Sequence, residues 1–459
     1  MTVPDLIRAE RDDPAEPAHT LDVWRGCRHT LTSAEELLVA SPTFQRLRRL
    51  RQMGLAFHAW PNAENTRASH SVGVAYWSAR YLDALRHVPD DDTRRLLASA
   101  EASLGGLSLD VVLRLFGLLH DIDLLPLGHT LRYQSGFFRE DPGQPRLAAC
   151  VAAIKAAVKA DAGGDVDFER HLDAAAVAIA GGTSPHGRLM TEIVNSGLGA
   201  DLVDFALRDS FSIARPQAFH GDLPGALRLV DTDHGCGLAL DVADPTTAPQ
   251  RVAMADDLYL ARFEVFAASV FHPVKLAADA MFDLALRRIG AGACEALAPE
   301  ELLLTMGDDE LVARLAPADP MLRSLQAGRL HREVWRTDDL ATFRSRADAA
   351  AALSLASDWR DDAEAALAAR LPWVQAGDVI VAVSPPSMQA KPANARFVGR
   401  DGVVFSLAEA AAHGFATQAD DIAGRYADLW SVRVYLAAAH RHEAHTVAAA
   451  AETLFGAGG

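Results

Sequence analysis

Apolar side chains recur at three- and four-residue steps through much of this chain, clearly over Val72–Leu85, Leu109–Leu119, Leu189–Val194 and the long Asp256–Ile289 segment. That spacing follows the 3.6-residue helical turn and gives each segment an apolar stripe to bury. Ala, Leu, Arg and Glu, all good helix formers, fill the positions between. The expected class is therefore mainly α. Strand signals are confined to two places. Leu227–Val230 and Gly237–Val242 flank a DTDHG turn and read as a small β-hairpin inserted among the helices. Val379–Val383 and Val403–Phe405 surround a Pro-rich connection and a GRDG turn, and read as a smaller C-terminal α+β lobe. A chain of 459 residues accommodates such a lobe beside one large core. The expected division is 1–319 and 320–459. Within the first part, an Ala/Lys helix bracketed by EDPGQP and DAGGD makes 139–169 an insertion or lid. Thr337–Ala369, rich in Ala and Asp, reads as solvent-facing helices.

Several function classes are disfavoured by composition. A formal charge of −17 argues against stable nucleic-acid binding, which draws on a basic surface to displace phosphate counterions. No uninterrupted apolar stretch approaches the length of about 20 residues that a membrane span requires. The start, MTVPDLIRAERDDPAEP, alternates charges where a secretory signal has a basic stretch and then an apolar run, so a cytoplasmic location is expected. Cys27, Cys150, Cys236 and Cys294 lie far apart without a CxxC pair, which indicates neither a disulfide framework nor a cysteine zinc site.

The sharpest chemical signal is His120-Asp121, at the end of the apolar helix LDVVLRLFGLL. A histidine and a carboxylate adjacent at a helix end can turn toward one point, and the pair suits Fe, Mn, Co, Ni or Zn better than Mg or Ca alone. Upstream, Arg67 and His70 stand three residues apart where an Asn-containing loop becomes a helix. Downstream, Asp201 stands at a helix start, followed by Asp204, Arg208 and Asp209. Singly, each has a bland account: a surface histidine, an N-cap, an exposed ion pair.

In order, these residues carry a resemblance. The words SPTFQRLRRLRQMG, RASHSVGV, GLLHDIDLLPLGH, TEIVNSGLGADLVDFALRD and ARFEVFAASVFHPVKLAADAM, and more weakly GDVIVAVSPPSMQAKP, resemble the HD-domain superfamily. They resemble in particular the catalytic part of the sterile-alpha-motif/HD-domain deoxynucleotide triphosphohydrolases and their bacterial relatives. The likeness covers roughly Thr43 to Lys391. It implies an HD-domain helical core with His70, His120, Asp121 and Asp201 as ligands of a divalent transition metal, Mn, Fe, Co, Ni or Zn, with Mg on the substrate phosphates. It implies a nucleotide substrate, with Arg67, Arg262 and Lys275 toward phosphate, Gln52 and Met53 facing the sugar, and Asp209 near its hydroxyl. His129 is implied as the candidate general acid, and His171 as a further catalytic histidine or else a satisfied structural one. The resemblance also implies a homodimer or homotetramer.

The sequence departs from the family at four positions. Asp123 stands near where a catalytic-pocket histidine is expected, with Arg132 where its carboxylate partner would be; Leu202 replaces a phosphate-binding lysine and Phe205 a tyrosine. The reading that follows is a phosphohydrolase that takes a (deoxy)nucleoside triphosphate to nucleoside and triphosphate. Three alternatives stand beside it: hydrolysis of another nucleotide or of a modified nucleoside phosphate, a catalytically weak nucleotide-binding regulator, and a dinuclear-iron oxygenase in which His129 and His171 serve as extra ligands.

Overall fold

The structure is a computed structural model that describes residues 20–24, 27–128, 130–131, 145–216, 222–233, 235–337, 357–384 and 394–455. At its centre runs the helix Leu109–Leu119, opened by the Ser108 hydroxyl accepting from the Val111 N–H. Leu109, Val112, Leu113, Leu115, Phe116, Leu118 and Leu119 are all buried on it. A helix apolar on nearly every side must be wrapped by others, and here the helices Ser33–Ala40, Arg67–His87 and Val166–Ile179 pack around it. Each fully buried Leu or Phe contributes about 1.5–3 kcal/mol to holding that arrangement.

Gly117 sets the closest approach. A Cβ there would stand 2.9 Å from the Cα of Ala75, so only glycine lets the central helix lie against Arg67–His87. The contact brings the end of one helix, His120, beside the first turn of the other, His70. The helix Ala200–Ser212 packs on the opposite flank of Arg67–His87. Gly73 makes room for it, because a Cβ at that position would fall 1.8 Å from Asp204 Oδ1.

The class is mainly α with small β elements, as the helical periodicity predicts. The segment expected as a lid contains the helix Pro145–Ala162, whose Leu147, Val151, Ile154 and Val158 form a stripe buried in the main core together with Cys150. That helix is part of the core, and its stripe outweighs the Gly and Pro punctuation around it. Asp256–Ile289 is not one helix. Ala248–Val265 continues through a π-helical turn at Phe266–Val270, this arm meets Pro273–Ile289 at 57°, and Pro273, which has no N–H to donate, opens the second helix. Among the described residues, no single helix is long and apolar enough to cross a membrane.

The sheets join parts of the chain that local patterns keep separate. Besides a first antiparallel pair, β1 (Thr20–Trp24) and β2 (Cys27–Thr30), the expected hairpin forms from β3 (Leu227–Thr232) and β4 (Gly235–Asp241), in register Leu227↔Leu240 through Thr232↔Gly235. It is not isolated, since β4 pairs in parallel with β7 (Arg396–Val398), which pairs antiparallel with β8 (Val404–Ser406). The strand at 379–383, β6 (Val379–Val383), lies in another sheet, with β9 (Val432–Leu436) between it and β5 (Arg332–Thr337). The two C-terminal strand signals thus belong to different sheets. Ala395, Phe397, Phe405, Leu407 and Tyr426 join the main core, so packing continues across the boundary expected at 319/320. Of Thr337–Ala369, residues 338–356 lie outside the described residues. The helix Ser357–Arg370 buries Ala363 and Leu367 and is amphipathic rather than wholly solvent-facing. The four cysteines are free, and Cys150, Cys236 and Cys294 are buried.

Candidate metal centre

Thr66 starts the His70 helix: its hydroxyl accepts from the Ser69 N–H, and the Ser69 hydroxyl accepts from the Thr66 N–H. This fixes His70 one turn in and 1% exposed. Its Nδ1 lies 2.8 Å from Asp204 Oδ2 and its Nε2 3.0 Å from Asp201 Oδ1. Asp204 is itself held by Arg208, whose Nε and Nη2 donate to its two oxygens at 2.9 and 2.8 Å. A carboxylate pinned in this way accepts from the imidazole Nδ1–H and orients Nε2 toward Asp201 and the candidate metal position. Burial alone would lower the His70 pKa, but the hydrogen bonds and charges of Asp201 and Asp204 overcome it and lift the group to about 10.

His120 follows the end of the central helix. Its Nδ1 donates to the Gly117 carbonyl at 2.7 Å, and its Nε2 is buried with no hydrogen-bond partner among the described residues. The His70 and His120 rings stand 5.2 Å apart, edge to face. Asp121 Oδ2 accepts from Arg67 Nη1 at 2.6 Å. Against its burial, the charges of His120, Arg67 and His70 hold this carboxyl below the usual carboxylate range. Ligand atoms of His70, His120 and Asp121 all lie within 4.8 Å of one another, and Asp201 joins them through His70. The donor set of two imidazoles and two carboxylates, with one buried imidazole nitrogen that makes no hydrogen bond among the described residues and faces Asp121 at 3.5 Å, fits a divalent transition metal.

The expected sugar side adjoins the same cluster. The Gln52 carbonyl accepts from Arg67 Nη2 at 3.2 Å, so one guanidinium links Gln52 to Asp121. Met53 packs with Ile213, Val265 and Ala268, with Trp60 and Phe205 alongside. Asp209 is fully buried, and its Oδ1 accepts from Asn65 Nδ2 at 2.5 Å. Burial pushes the Asp209 carboxyl up to about 6 against the pull of His70, Asn65 and Arg67. Gln52 Oε1, Asn65 Oδ1 and Asp209 Oδ2 are buried acceptors with no partner among the described residues. Asn65 was not singled out by sequence. Its signal was its place in the loop just before Arg67.

Arg262 and Lys275 are buried rather than solvated. The Arg262 guanidinium lies over the Phe266 and Tyr426 rings at 5.7 and 5.8 Å and keeps Nη2 unpaired among the described residues. Lys275 is paired with Asp279 on its own helix, and Asp279 also accepts from the Thr130 hydroxyl at 2.8 Å. Its charge is already neutralised locally. The Asp123 carboxyl is raised by burial and by Asp121, with Arg146 and Arg46 pulling it down. Leu202 and Phe205 pack against the main core, and Phe205 meets Phe266 edge to face. His129 and Arg132 lie outside the described residues.

His171 stands elsewhere. Its Nε2 accepts from the Ser108 N–H at 3.1 Å and its Nδ1 donates to the Asp167 carbonyl at 2.7 Å, so both ring nitrogens serve backbone. Ser108 and His120 bracket the central helix, which separates its ends by about 18 Å at 1.5 Å per residue. His171 is therefore the structural histidine of the two alternatives, and the expectation of a catalytic role is corrected.

Helices that bring two imidazoles and one carboxylate to one point, with Asp201 beside His70, define a mainly α protein with a candidate metal centre. Its relatives point to the HD-domain proteins. An uncharacterized protein of Mycoplasma pneumoniae is 29% identical over 184 residues, 38% of either chain. A protein of Acanthamoeba polyphaga mimivirus named for an HD domain is 26% identical over 188 residues, 39% of this chain and 40% of its own. The deoxynucleoside triphosphate triphosphohydrolase SAMHD1 of Xenopus laevis is 30% identical over 95 residues, 20% of this chain and 13% of its own. The chain thus spans less than half the length of each. No family model matches. These similarities support an HD-domain relationship.

Proposed function

We propose that this chain is a metal-dependent phosphohydrolase of nucleotides, taking a (deoxy)nucleoside triphosphate to nucleoside and inorganic triphosphate. The reading rests on His120 Nε2, buried without a hydrogen bond among the described residues and 3.5 Å from Asp121 Oδ2, beside a His70 imidazole oriented by Asp204. His70, His120, Asp121 and Asp201 would hold a divalent transition metal, which supplies Lewis acidity toward a phosphoryl oxygen and toward water. Arg67, locked by Asp121 and the Gln52 carbonyl, places a fixed positive charge beside that position for phosphate oxygens. Arg262, with an N–H that has no hydrogen-bond partner among the described residues, offers a second. Three buried acceptors without a hydrogen-bond partner among the described residues, on Gln52, Asn65 and Asp209, call for donors, and sugar hydroxyls are donors of the right kind. Water attack at the α-phosphorus breaks the bond to the nucleoside oxygen, which must gain a proton; His129 is the candidate donor by its place in the sequence.

The test is a panel of ribo- and deoxynucleoside mono-, di- and triphosphates offered to metal-stripped protein with Mn, Co, Ni, Fe or Mg, the products being identified by mass. Inorganic triphosphate plus nucleoside supports the proposal. Orthophosphate alone moves the reading to another phosphate bond, and nucleotide binding without turnover moves it to a regulator. The oxygenase alternative is weakened by the placement of His171 and fails if turnover proceeds without O2. The same reading carries a homodimer or homotetramer without stable nucleic-acid binding, checked by light scattering and by titration with DNA and RNA.

A further inference from the structure

Asp308 lies far along the sequence from the metal-ligand residues, at the first position of the helix Asp308–Leu315. It does not serve its own helix start, where Glu310 accepts from the Gly307 N–H at 3.0 Å. Its side chain is 1% exposed, and its two oxygens accept from two distant main-chain donors: Oδ1 from the Leu127 N–H at 2.7 Å, Oδ2 from the Arg51 N–H at 2.8 Å. Leu127 has φ 59°, the left-handed region that a branched side chain disfavours, and Gly128 follows at φ 44°. The Asp308 bond holds the chain in that conformation. Arg51 directly precedes Gln52, and its guanidinium is gripped by Asp309 at 2.9 Å through both Nη atoms and by Glu64 at 2.8 Å.

The same segment is held from its other side. Arg46, 1% exposed, donates to the carbonyls of Ile122 at 2.8 Å and Leu124 at 2.9 Å. The stretch 122–128 that follows His120-Asp121 therefore has its carbonyls fixed by one buried charge and an N–H fixed by another. Burying a carboxylate for two amide bonds is costly, since burial pushes the Asp308 carboxyl up to about 6, so a residue needed only for packing would serve better as an apolar one.

We propose that Asp308 is a positioning residue that fixes the shape of 122–128 and ties it to the Gln52–Met53 turn, so that the two sides of the candidate site stand in register. The catalytic part of this inference rests on the phosphohydrolase reading; the clamp itself does not.

Amide hydrogen exchange read by mass spectrometry on the full chain, alone and as Asp308→Asn, tests the clamp without any turnover. Asn keeps one acceptor and turns the other oxygen into a donor facing an N–H. Exchange at 122–128 and 50–54 is expected to rise about 3- to 10-fold, the worth of one such bond, with the Arg67–His87 helix and the bound Mn content unchanged. Unchanged exchange in 122–128 overturns the clamp. Should the variant not fold, the wild-type measurement decides, because exchange at 122–128 as fast as in an unstructured peptide also overturns it. For turnover, kcat is expected to fall about 10- to 100-fold with KM nearly constant. Faster exchange with an unaltered kcat overturns the positioning role. Wild-type protein inert toward every nucleotide sinks the phosphohydrolase reading while the exchange result still judges the clamp.

Discussion

Asp204 Oδ2 lies 2.8 Å from His70 Nδ1, and the far side of the same imidazole faces Asp201. One ring is thereby oriented from behind by a carboxylate that is itself clamped by Arg208. Replacing Asp204 with Asn removes the charge that fixes the tautomer without emptying the space. Metal affinity should fall about 10- to 100-fold, read by calorimetric titration with Mn or Co. Unaltered affinity would show that Asp204 serves packing alone.

His120→Ala and Asp121→Ala should each abolish both metal content and hydrolysis while circular dichroism keeps its helical signature. Both side chains lie at the end of the central helix rather than in its apolar body. Turnover retained by either variant contradicts their assignment.

Gly73→Ala places a methyl group where Asp204 Oδ1 now stands. The crowding should lower stability by about 1–3 kcal/mol and weaken metal binding together, because the displaced group is the one that orients His70. A stable variant with normal metal affinity would mean that the two helices adjust freely.

Arg67→Ala should raise KM for the nucleotide and lower kcat with the metal still bound, since the guanidinium contacts Asp121 without being a ligand. Loss of metal in this variant, measured by elemental analysis, would reassign Arg67 to supporting the centre.

Asp209 carries a pH prediction. Its folded pKa, about 6, lies above the ordinary carboxylate value of 3.8, so the folded state binds this proton more tightly than the unfolded chain does. Stability from this group is present below the ordinary value and is lost as pH rises through about 6, by up to about 3 kcal/mol. Asp209→Asn removes the titration and keeps the oxygen that accepts from Asn65. The melting temperature of the variant relative to wild type should therefore be higher at about pH 7.5 than at about pH 5; equal differences at both contradict the burial account.

The helices were legible because their signal is local: Leu109–Leu119 announces burial by its composition, and Thr66 and Ser108 cap in the ordinary way. The parallel pairing of β4 with β7 was not, because its partners are more than 150 residues apart and no turn joins them. The ordered words around His70, His120 and Asp201 marked residues that the fold does bring together. Asn65, Arg46 and Asp308 escaped because each acts through a main-chain or side-chain contact that is defined only once distant segments meet. His171 misled for the converse reason, since a histidine on a helix looks alike in sequence whether its nitrogens serve a metal or the backbone.

Stripping the protein of metal and following nucleotide hydrolysis as Mn or Co is returned tests whether the His70, His120, Asp121 and Asp201 centre drives the reaction. No turnover is expected in the stripped protein, which stays folded, and recovery should saturate at about one ion per chain. Full hydrolysis without metal, or none on any nucleotide at saturating metal, would contradict that role.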